Sequence, residues 1–291
     1  MRIAVVGATG NAGTAVLREL AGHDNVEAIL GIARRLPNRD LEPYRHAEWH
    51  TADVQFPEVR AELAEVFAGC DAVIHLAWLI QPNKERDLLR RTNVDGTRHV
   101  LEAAADAGVK HVVVASSVGA YSPVDDNELR DESWPTEGID SSHYSVDKAA
   151  QERILDEFEA SHPEITVARL RPGLKFQGSA GSEIQRYFLG SWVPVQLLRL
   201  GRPPIIPFPE GVRTQAVHTD DVARAYVMAA LQGAEGAFNI CADDILDART
   251  IGGVVTKNPK FGRVLPIPSK SLRPWSKLPT APEYCRRTRA G

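Results

Sequence analysis

The chain has 291 residues, of which 43% are apolar and 25% are charged, a composition typical of a globular enzyme. Its net charge of −4 gives no electrostatic reason to expect binding to nucleic acid or to an anionic membrane surface. The three cysteines are widely spaced and form no C-x-x-C pair, which argues against a disulfide framework or a bound metal and favours a reducing compartment.

The chain begins with an apolar run, residues 3–6, that leads directly into a glycine-rich turn. We therefore expect no signal peptide. No stretch of about 18 apolar residues occurs, so no membrane span is predicted either. The expectation that follows is a cytoplasmic protein that acts on a small-molecule substrate, with a homodimer left open.

Short apolar runs alternate with longer amphipathic segments over residues 1–171. The runs have the length and turn boundaries of buried parallel strands, and they lie at residues 3–6, 28–32, 72–76, 112–115 and 166–170. The segments with apolar residues at helical spacing lie at 12–21, 58–68, 85–107 and 143–161. Strands that alternate with helices predict right-handed βαβ units, and hence an α/β fold with a doubly wound parallel sheet.

Beyond Arg171 the pattern weakens, and proline and glycine become frequent. Periodicity returns at residues 215–231 and is followed by a short strand near 237–241, which we expect to join the same parallel sheet. Residues 1–171 plus 214–241 are thus predicted to form one domain. Residues 172–213 plus 242–291 are predicted to form a smaller, interleaved C-terminal lobe that binds substrate and whose completeness stays open.

A glycine-rich turn follows the first strand and opens the first helix. Gly7 suits the tight turn, Gly10 lets the backbone approach a pyrophosphate, and Gly13 lets the helix pack on the strand. The free N–H groups at the helix start attract phosphate. The pattern predicts a dinucleotide-binding Rossmann domain whose turn contacts are Gly7, Thr9, Gly10, Asn11, Ala12 and Gly13.

The second strand ends without the acidic residue that would accept the ribose hydroxyls of NAD. Ala33 stands at that position and is followed by Arg34 and Arg35, whose guanidinium groups suit a 2′-phosphate. We therefore favour NADP, with NAD as the alternative. Asp53 follows a third apolar segment, where it either accepts from the adenine amino group or caps a turn.

A tyrosine and a lysine lie on one face of the helix at 143–161. Tyr144 and Lys148 are four residues apart, and Ser117 lies at the end of the preceding predicted strand. A phenol titrates near pH ~10, and a nearby ammonium group lowers that value. Glu152, on the same helix, is expected on the solvated polar face.

These segments together resemble the extended short-chain dehydrogenase/reductases of the NAD-dependent epimerase/dehydratase type. The likeness rests on the glycine turn, the Ser117 segment and the Tyr144-x-x-x-Lys148 spacing, and on further matches at residues 75–78, 92–97, 170–173 and 217–223. It covers residues 1–241. The resemblance implies that Tyr144 gives or takes the proton, that Lys148 binds the nicotinamide ribose and tunes Tyr144, and that Ser117 orients the substrate carbonyl. It also implies that Asn93 supports the lysine.

The remaining predicted contacts follow the same segments. The further cofactor contacts are Val54, Leu76, Ala77, Trp78, Tyr144, Lys148 and Pro172. The predicted substrate pocket is apolar and consists of Leu79, Ile80, Val118, Phe188 and Trp192, which suits a hydrophobic carbonyl or alcohol.

Two departures from the family concern the substrate. Arg171 stands in the segment where members that handle nucleotide sugars usually carry an asparagine, and Thr214 stands where they tend to carry an arginine. The first hypothesis is therefore hydride transfer to or from a hydrophobic carbonyl or alcohol. The alternatives are a nucleotide-sugar epimerase or dehydratase that retains its cofactor and, less favoured because Tyr144 and Lys148 are both present, an NADP-sensing regulator.

Overall fold

The computed structural model describes residues 1–80, 84–124, 126, 128–176, 205–209, 213–247, 250 and 263–267. Its centre is a seven-stranded sheet in which all neighbouring strands are parallel. In chain order the strands are β1 (Arg2–Val6), β2 (Ala28–Ala33), β3 (Glu48–Thr51), β4 (Ala72–His75), β5 (His111–Ala115), β6 (Thr166–Pro172) and β10 (Gly236–Ile240). The spatial order is β10-β6-β5-β4-β1-β2-β3, so the strand order reverses between β1 and β4. Ligands bind at this switch point in doubly wound folds.

Helices cover both faces of this sheet, as the sequence predicts. They are α1 (Asn11–Leu20), α2 (Val59–Phe67), α3 (Arg86–Arg90), α4 (Gly96–Asp106), α5 (His143–Ser161) and α6 (Thr219–Gln232). One core forms where α2, α4 and α5 pack on the sheet, and it includes Leu63, Leu101 and Leu155. A second core forms under α1 and α6, and it includes Leu17 and Tyr226. The predicted α/β doubly wound Rossmann fold is confirmed.

The helix predicted for residues 85–107 is interrupted. Residues Arg91–Asp95 form one π-helical turn between α3 and α4, and the side chains of Thr92, Asn93 and Val94 within it are buried. Such turns insert one extra residue into a helix and often occur at functional sites. Apolar residues at helical spacing over 85–107 predict one continuous helix, and this spacing does not by itself mark a π-helical turn.

A smaller sheet stands beside the main one. β9 (Arg213–His218) pairs in parallel with β7 (Leu174–Phe176) and antiparallel with β11 (Ile245–Asp247). The expectation that all of residues 215–241 would join the main sheet is therefore wrong for β9, and it holds for β10. Close packing at Gly173 explains the arrangement, because a Cβ at this position would lie 2.7 Å from the carbonyl oxygen of Gln215.

A parallel pair of strands, β8 (Ile205–Pro209) and β12 (Arg263–Ile267), completes the described part of the C-terminal region. Most of the predicted substrate lobe lies outside the described residues, so its boundaries stay a prediction. Within the described ranges, no helix is long and apolar enough to cross a membrane. The same ranges contain no group of three or more His, Cys, Asp or Glu residues that could hold a metal ion.

Candidate active site

The glycine-rich turn connects β1 to α1 at the carboxyl edge of the main sheet. Gly7 has a φ of +87°, and a Cβ there would lie 2.7 Å from the backbone nitrogen of Ala77. A Cβ on Gly13 would lie 2.4 Å from the carbonyl oxygen of Gly7. No side chain caps α1 at Gly10, so the turn combines close backbone packing with the positive end of a helix dipole.

A groove runs from this turn across the carboxyl ends of β1, β2 and β4. Predicted cofactor contacts make up most of its wall, namely Gly7, Thr9, Gly10, Arg34, Arg35, Val54, Leu76, Ala77 and Trp78. The predicted substrate contact Leu79 also lines it. Lining residues that the sequence analysis did not select are Val6, Ile32, Ala33, Ala52 and Thr92. Val6 and Ile32 are the last residues of predicted strands and Ala33 follows one, so counting the strand ends themselves as contacts would have found these three.

The rim of the groove carries two cations. Arg34 and Arg35 follow β2, their side chains are exposed, and neither forms an ion pair with a described residue. Asp53 lies nearby but is engaged locally, because its carboxylate accepts hydrogen bonds from the backbone N–H of Gln55 at 3.3 Å and from the Gln55 side-chain amide at 2.8 Å. This is the turn-capping arrangement, and a contact between Asp53 and adenine stays a prediction.

Ser117 and Tyr144 meet around one glycine. The hydroxyl of Ser117, which is 8% exposed, accepts a hydrogen bond from the backbone N–H of Gly119 at 3.0 Å. A Cβ on Gly119 would lie 3.3 Å from Ser117 Oγ and 2.9 Å from Cε1 of Tyr144. Ser145 fixes this turn by donating to the Gly119 carbonyl at 2.6 Å. The serine hydroxyl and the half-buried tyrosine ring therefore flank the same point in space.

Lys148 lies one turn further along α5 and is only 2% exposed. Its Nζ donates to the carbonyl oxygen of Ala115 at 2.7 Å and to Oε1 of Gln151 at 3.0 Å. Burial, together with the nearby Lys175 ammonium, lowers the pKa of Lys148 well below its usual value. Neutral acceptors thus hold the amine in place, and the raising effects of Glu152 and Asp147 on its pKa are smaller than the effect of burial.

Trp78 connects this lysine to the tyrosine. Lys148 Nζ lies 3.4 Å from the centroid of the Trp78 ring, a cation–π contact that favours the charged amine. The same ring packs edge-on against Tyr144, with 5.9 Å between centroids. Ser117, Tyr144 and Lys148 do not themselves line the groove, but Trp78 does, and its contacts with Lys148 and Tyr144 place these two side chains directly behind the groove wall.

Asn93 occupies the π-helical turn and holds the loop that forms this wall. Its Oδ1 accepts from the backbone N–H of Leu79 at 2.7 Å, and its Nδ2 donates to the Leu79 carbonyl at 2.8 Å. The backbone carbonyl of Asn93 accepts from the hydroxyl of Thr97 at 2.7 Å. The side chain thus positions Leu79, and the predicted support of Lys148 by Asn93 stays a prediction.

Glu152 was expected on the solvated face of α5, and that expectation is wrong because Glu152 is completely buried. Its carboxylate accepts two hydrogen bonds from Arg171 at 2.9 Å, one from Ser116 at 2.5 Å and one from Arg169 at 3.2 Å. Burial alone raises the pKa of Glu152, but Arg171, Ser116 and Arg169 outweigh it and hold that pKa below its usual value. Both arginines come from β6, so the sequence of α5 alone contains no sign of this ion pair.

The Arg171 guanidinium also supports the loop between Ser117 and Tyr144. It donates to the Tyr121 hydroxyl and to the Glu132 carbonyl, each at 3.0 Å. The Tyr121 hydroxyl in turn donates to Asn239 at 2.7 Å, and burial raises the pKa of Tyr121 to about 12. A buried polar network therefore fixes the loop and the end of β10 to α5, which the sequence analysis did not foresee.

The other predicted contacts lie at varied distances from the groove. Val118 is buried directly after Ser117, Pro172 is buried at the end of β6, and Ile80 is 46% exposed. Phe188 and Trp192 lie outside the described residues. The predicted substrate wall is therefore represented in the described groove by Leu79, together with Trp78.

Comparison with known proteins identifies one family. Residues 3–241 match the model of the NAD dependent epimerase/dehydratase family. An L-arabinose 1-dehydrogenase (NAD(P)(+)) from Haloferax volcanii is 35% identical over 118 residues, which are 40% of this chain and 41% of that protein. A putative dihydroflavonol 4-reductase from Synechocystis is 31% identical over 136 residues, or 45% of this chain and 36% of that protein. The chain thus covers less than half the length of these curated relatives.

Solved structures share the fold over most of the chain. A dTDP-glucose 4,6-dehydratase from Streptomyces venezuelae, with NAD bound, has a TM-score of 0.74 at 21% identity and covers 91% of this chain and 84% of its own. A UDP-glucose 4-epimerase from Thermus thermophilus, in complex with NAD, has a TM-score of 0.71 at 22% identity and covers 99% and 90%. At such identities the likeness establishes the fold.

Proposed function

Because this chain belongs to the NAD dependent epimerase/dehydratase family, we propose that it is an oxidoreductase that transfers a hydride between a nicotinamide cofactor and a hydrophobic carbonyl or alcohol. The observation that supports the proposal is the grouping of Ser117, Tyr144 and Lys148 around Gly119 and Trp78, where Trp78 also lines the groove that starts at the glycine-rich turn. The L-arabinose dehydrogenase and the putative dihydroflavonol reductase among the relatives support it.

The glycine-rich turn fits a dinucleotide. Gly7 and Gly13 leave no room for a Cβ, so the turn packs tightly on Ala77 and on the start of α1, and the helix start attracts negative charge. These residues would hold the pyrophosphate, and Leu76, Ala77 and Trp78 would line the path toward Tyr144. When bound, the nicotinamide supplies or accepts the hydride.

Tyr144 is the proposed proton donor in reduction and acceptor in oxidation. A phenol with its ordinary pKa of about 10 is a weak acid–base group at neutral pH, so a positive charge must stabilise the phenolate. Lys148 supplies that charge, since both side chains contact the Trp78 ring. Ser117, on the other side of Gly119, would donate to the substrate oxygen and so place it against the tyrosine.

NADP is the proposed cofactor, with NAD as the alternative. Arg34 and Arg35 are exposed at the groove rim, and no described carboxylate pairs with them. Ala33, at the end of β2, offers no acceptor for the 2′-hydroxyl of NAD. A 2′-phosphate would therefore gain charge-assisted hydrogen bonds that NAD cannot make.

A nucleotide-sugar epimerase or dehydratase is the second candidate. It is supported by the overall likeness to the dTDP-glucose dehydratase and the UDP-glucose epimerase, both of which have NAD bound in their structures. The hydrogen bonds of Arg171 to Glu152 and Tyr121 count against this second candidate. This side chain is used inside the protein and is not available to a sugar nucleotide.

The two candidates differ in net cofactor consumption. We would mix the purified protein with NADPH or NADH and a panel of hydrophobic ketones and aldehydes, and separately with UDP- and dTDP-sugars, and follow cofactor oxidation and product masses. Stoichiometric NADPH consumption with a carbonyl compound supports hydride transfer. Conversion of a nucleotide sugar without net consumption would replace the first candidate with the second.

A variant pair tests the role of Tyr144. Tyr144→Phe should lose about 10²–10⁴-fold in turnover while still binding cofactor, because only the proton transfer is removed. Tyr44→Phe is the matched control, since its hydroxyl lies within 3.2 Å of Thr14 Oγ1 and outside the groove wall. Full activity of Tyr144→Phe on a good substrate would refute the proposed mechanism.

A further inference from the structure

A buried chain of hydrogen bonds leads away from Lys148 on the side opposite Tyr144. Gln151, which is 1% exposed, accepts from Lys148 Nζ at 3.0 Å through Oε1 and donates through Nε2 to the hydroxyl of Thr97 at 3.1 Å. Thr97 is completely buried, and His75 Nε2 lies 3.1 Å from its oxygen. None of these three residues lines the groove and all three are almost completely buried, so we expect any effect on the site to pass through Lys148.

The donor and the acceptor of each hydrogen bond between Lys148 and His75 follow from the chemistry of the side chains. Lysine only donates, so the Gln151 amide must turn its oxygen to Lys148 and its nitrogen to Thr97. The one hydroxyl proton of Thr97 goes to the Asn93 carbonyl, so the Thr97 oxygen accepts from both Gln151 and His75 Nε2–H. Burial, and to a lesser extent the Lys148 charge, lowers the pKa of His75 to about 3, so the imidazole is neutral.

The side-chain acceptor that contacts Lys148 is uncharged, although charged groups lie nearby. Asp147 and Glu152, on the same helix, are paired with Arg86 and Arg171. Lys175, on β7, adds a second positive charge, and His75, on β4, is neutral. The side-chain acceptor that reaches the ammonium is therefore an uncharged amide. An amide fixes the position of Nζ without neutralising its charge, whereas a carboxylate at the same place would form an ion pair and cancel much of its field.

We infer that Gln151 is a positioning residue, which acts through Lys148: with Thr97 and His75 it holds the ammonium in place and, being neutral, keeps that place from being taken by a carboxylate in direct contact with it. The inference rests on the proposed function for its consequence in catalysis. Its structural content, the control of Lys148 by a neutral buried acceptor, is measurable without substrate or cofactor.

Two nearly isosteric variants separate the effects of charge and hydrogen bonding. Gln151→Glu places a carboxylate within hydrogen-bond distance of Nζ and should raise the pKa of Lys148 by about one to three pH units. Gln151→Met removes an acceptor from a buried ammonium and should lower it by about one pH unit. The readout is the ¹³Cε chemical shift of labelled lysine against pH, with the Lys148 signal assigned by its loss in Lys148→Met. Ala160→Glu, which adds the same charge on an exposed part of α5, is the control and should leave the signal in place.

Thr97 gives an independent test if Gln151→Glu fails to fold. Thr97→Val removes the anchor of the Gln151 amide and should lower the Lys148 pKa in the same direction as Gln151→Met, and Thr97→Ser should restore it. If the pKa of Lys148 is the same in all these variants as in the wild-type protein, the inference is overturned. It is also overturned if Gln151→Glu and Gln151→Met shift that pKa in the same direction and by the same amount.

Turnover separates this inference from the proposed function. In Gln151→Glu the phenolate of Tyr144 is less stabilised, so the rising limb of alcohol oxidation should move to higher pH, while Ala160→Glu keeps the wild-type profile. If the lysine signals shift as expected but the wild-type protein transfers no hydride, the proposed function fails and the positioning role stands. If hydride transfer occurs and the pH limb of Gln151→Glu coincides with that of the wild-type protein, the positioning role is refuted alone.

Discussion

Gly119→Ala is the sharpest perturbation of the candidate active site, because it adds one carbon between two proposed catalytic groups. The new Cβ would lie 2.9 Å from Cε1 of Tyr144 and 3.3 Å from Ser117 Oγ, so the tyrosine ring must move by several tenths of an ångström. The backbone is not strained by the change, since Gly119 is not among the glycines with positive φ. The displacement of the ring is thus the main expected effect.

The magnitudes predict a measurable loss of activity in a variant that still folds. Overpacking a core typically costs ~1–3 kcal/mol, and replacing glycine by alanine returns about 0.4–1 kcal/mol through the unfolded chain. The free energy of unfolding should therefore fall by about 0–2.6 kcal/mol. A misplacement of about 1 Å in a catalytic group costs on the order of 100-fold, so a shift of a few tenths should reduce kcat/KM by roughly 3- to 10-fold.

The assay compares Gly119→Ala with Gly22→Ala. A Cβ on Gly22 would make an ordinary 3.4 Å contact with the Glu19 carbonyl, in a turn far from the groove. We would measure kcat/KM for the best substrate, cofactor binding by titration, and unfolding in urea for both variants. If Gly119→Ala were fully active and as stable as Gly22→Ala, Tyr144 would not occupy the position described, and the argument for the convergence of Ser117 and Tyr144 would fail.

Three further predictions follow from other parts of the site. Arg34→Ala and Arg35→Ala should each weaken NADP binding by about 1–3 kcal/mol and leave NAD binding unchanged, measured by titration; an unchanged NADP to NAD ratio would contradict the role of the rim. Lys148→Met should both weaken cofactor binding, measured by titration, and slow turnover. If only one of these two quantities changes, Lys148 has only one of the two proposed roles. Glu152→Gln should destabilise the fold by about 3–5 kcal/mol in urea unfolding, because it leaves the Arg171 charge buried without its partner. Since the pKa of Glu152 is lowered in the folded protein, its contribution is fully present above the unfolded-state pKa and is lost as the pH falls through the folded value. The free energy of unfolding of the wild-type protein should therefore decline more steeply in that acid range than that of Glu152→Gln. If the two plots of this free energy against pH are parallel, Glu152 is not the cause of the acid decline.

Local sequence patterns were sufficient for six of the seven strands of the main sheet, and only β3 at Glu48–Thr51 was not predicted. The five predicted strands of the N-terminal region all appear within two residues of their observed ends, because continuous apolar runs are required wherever a parallel strand is covered on both faces. The helix predicted at 143–161 matches α5 at both ends. Its start is marked by Ser142, whose hydroxyl accepts from the backbone N–H of Ser145.

Other features could not be predicted, because they depend on contacts between distant segments. Glu152 follows Lys148 by one helical turn and has the appearance of a surface residue until Arg169 and Arg171 arrive from β6. Residues 215–241 were expected to share the main sheet, but the strand at Arg213–His218 pairs with residues 174–176 instead. A periodic pattern describes one element and its solvent side, and it does not identify the partner of that element.

What the sequence by itself determined is the set of features that a single turn or helix contains: the glycines that exclude a Cβ, the alternation of strands and helices, and the i, i+4 spacing of Tyr144 and Lys148. Only the tertiary structure decided what surrounds them. Trp78 reaches Lys148 across 70 residues of chain, and Gln151 meets Thr97 from another helix. The charge of a buried amine and the field at a phenol depend on distances between such groups, and those distances exist only once the elements are packed.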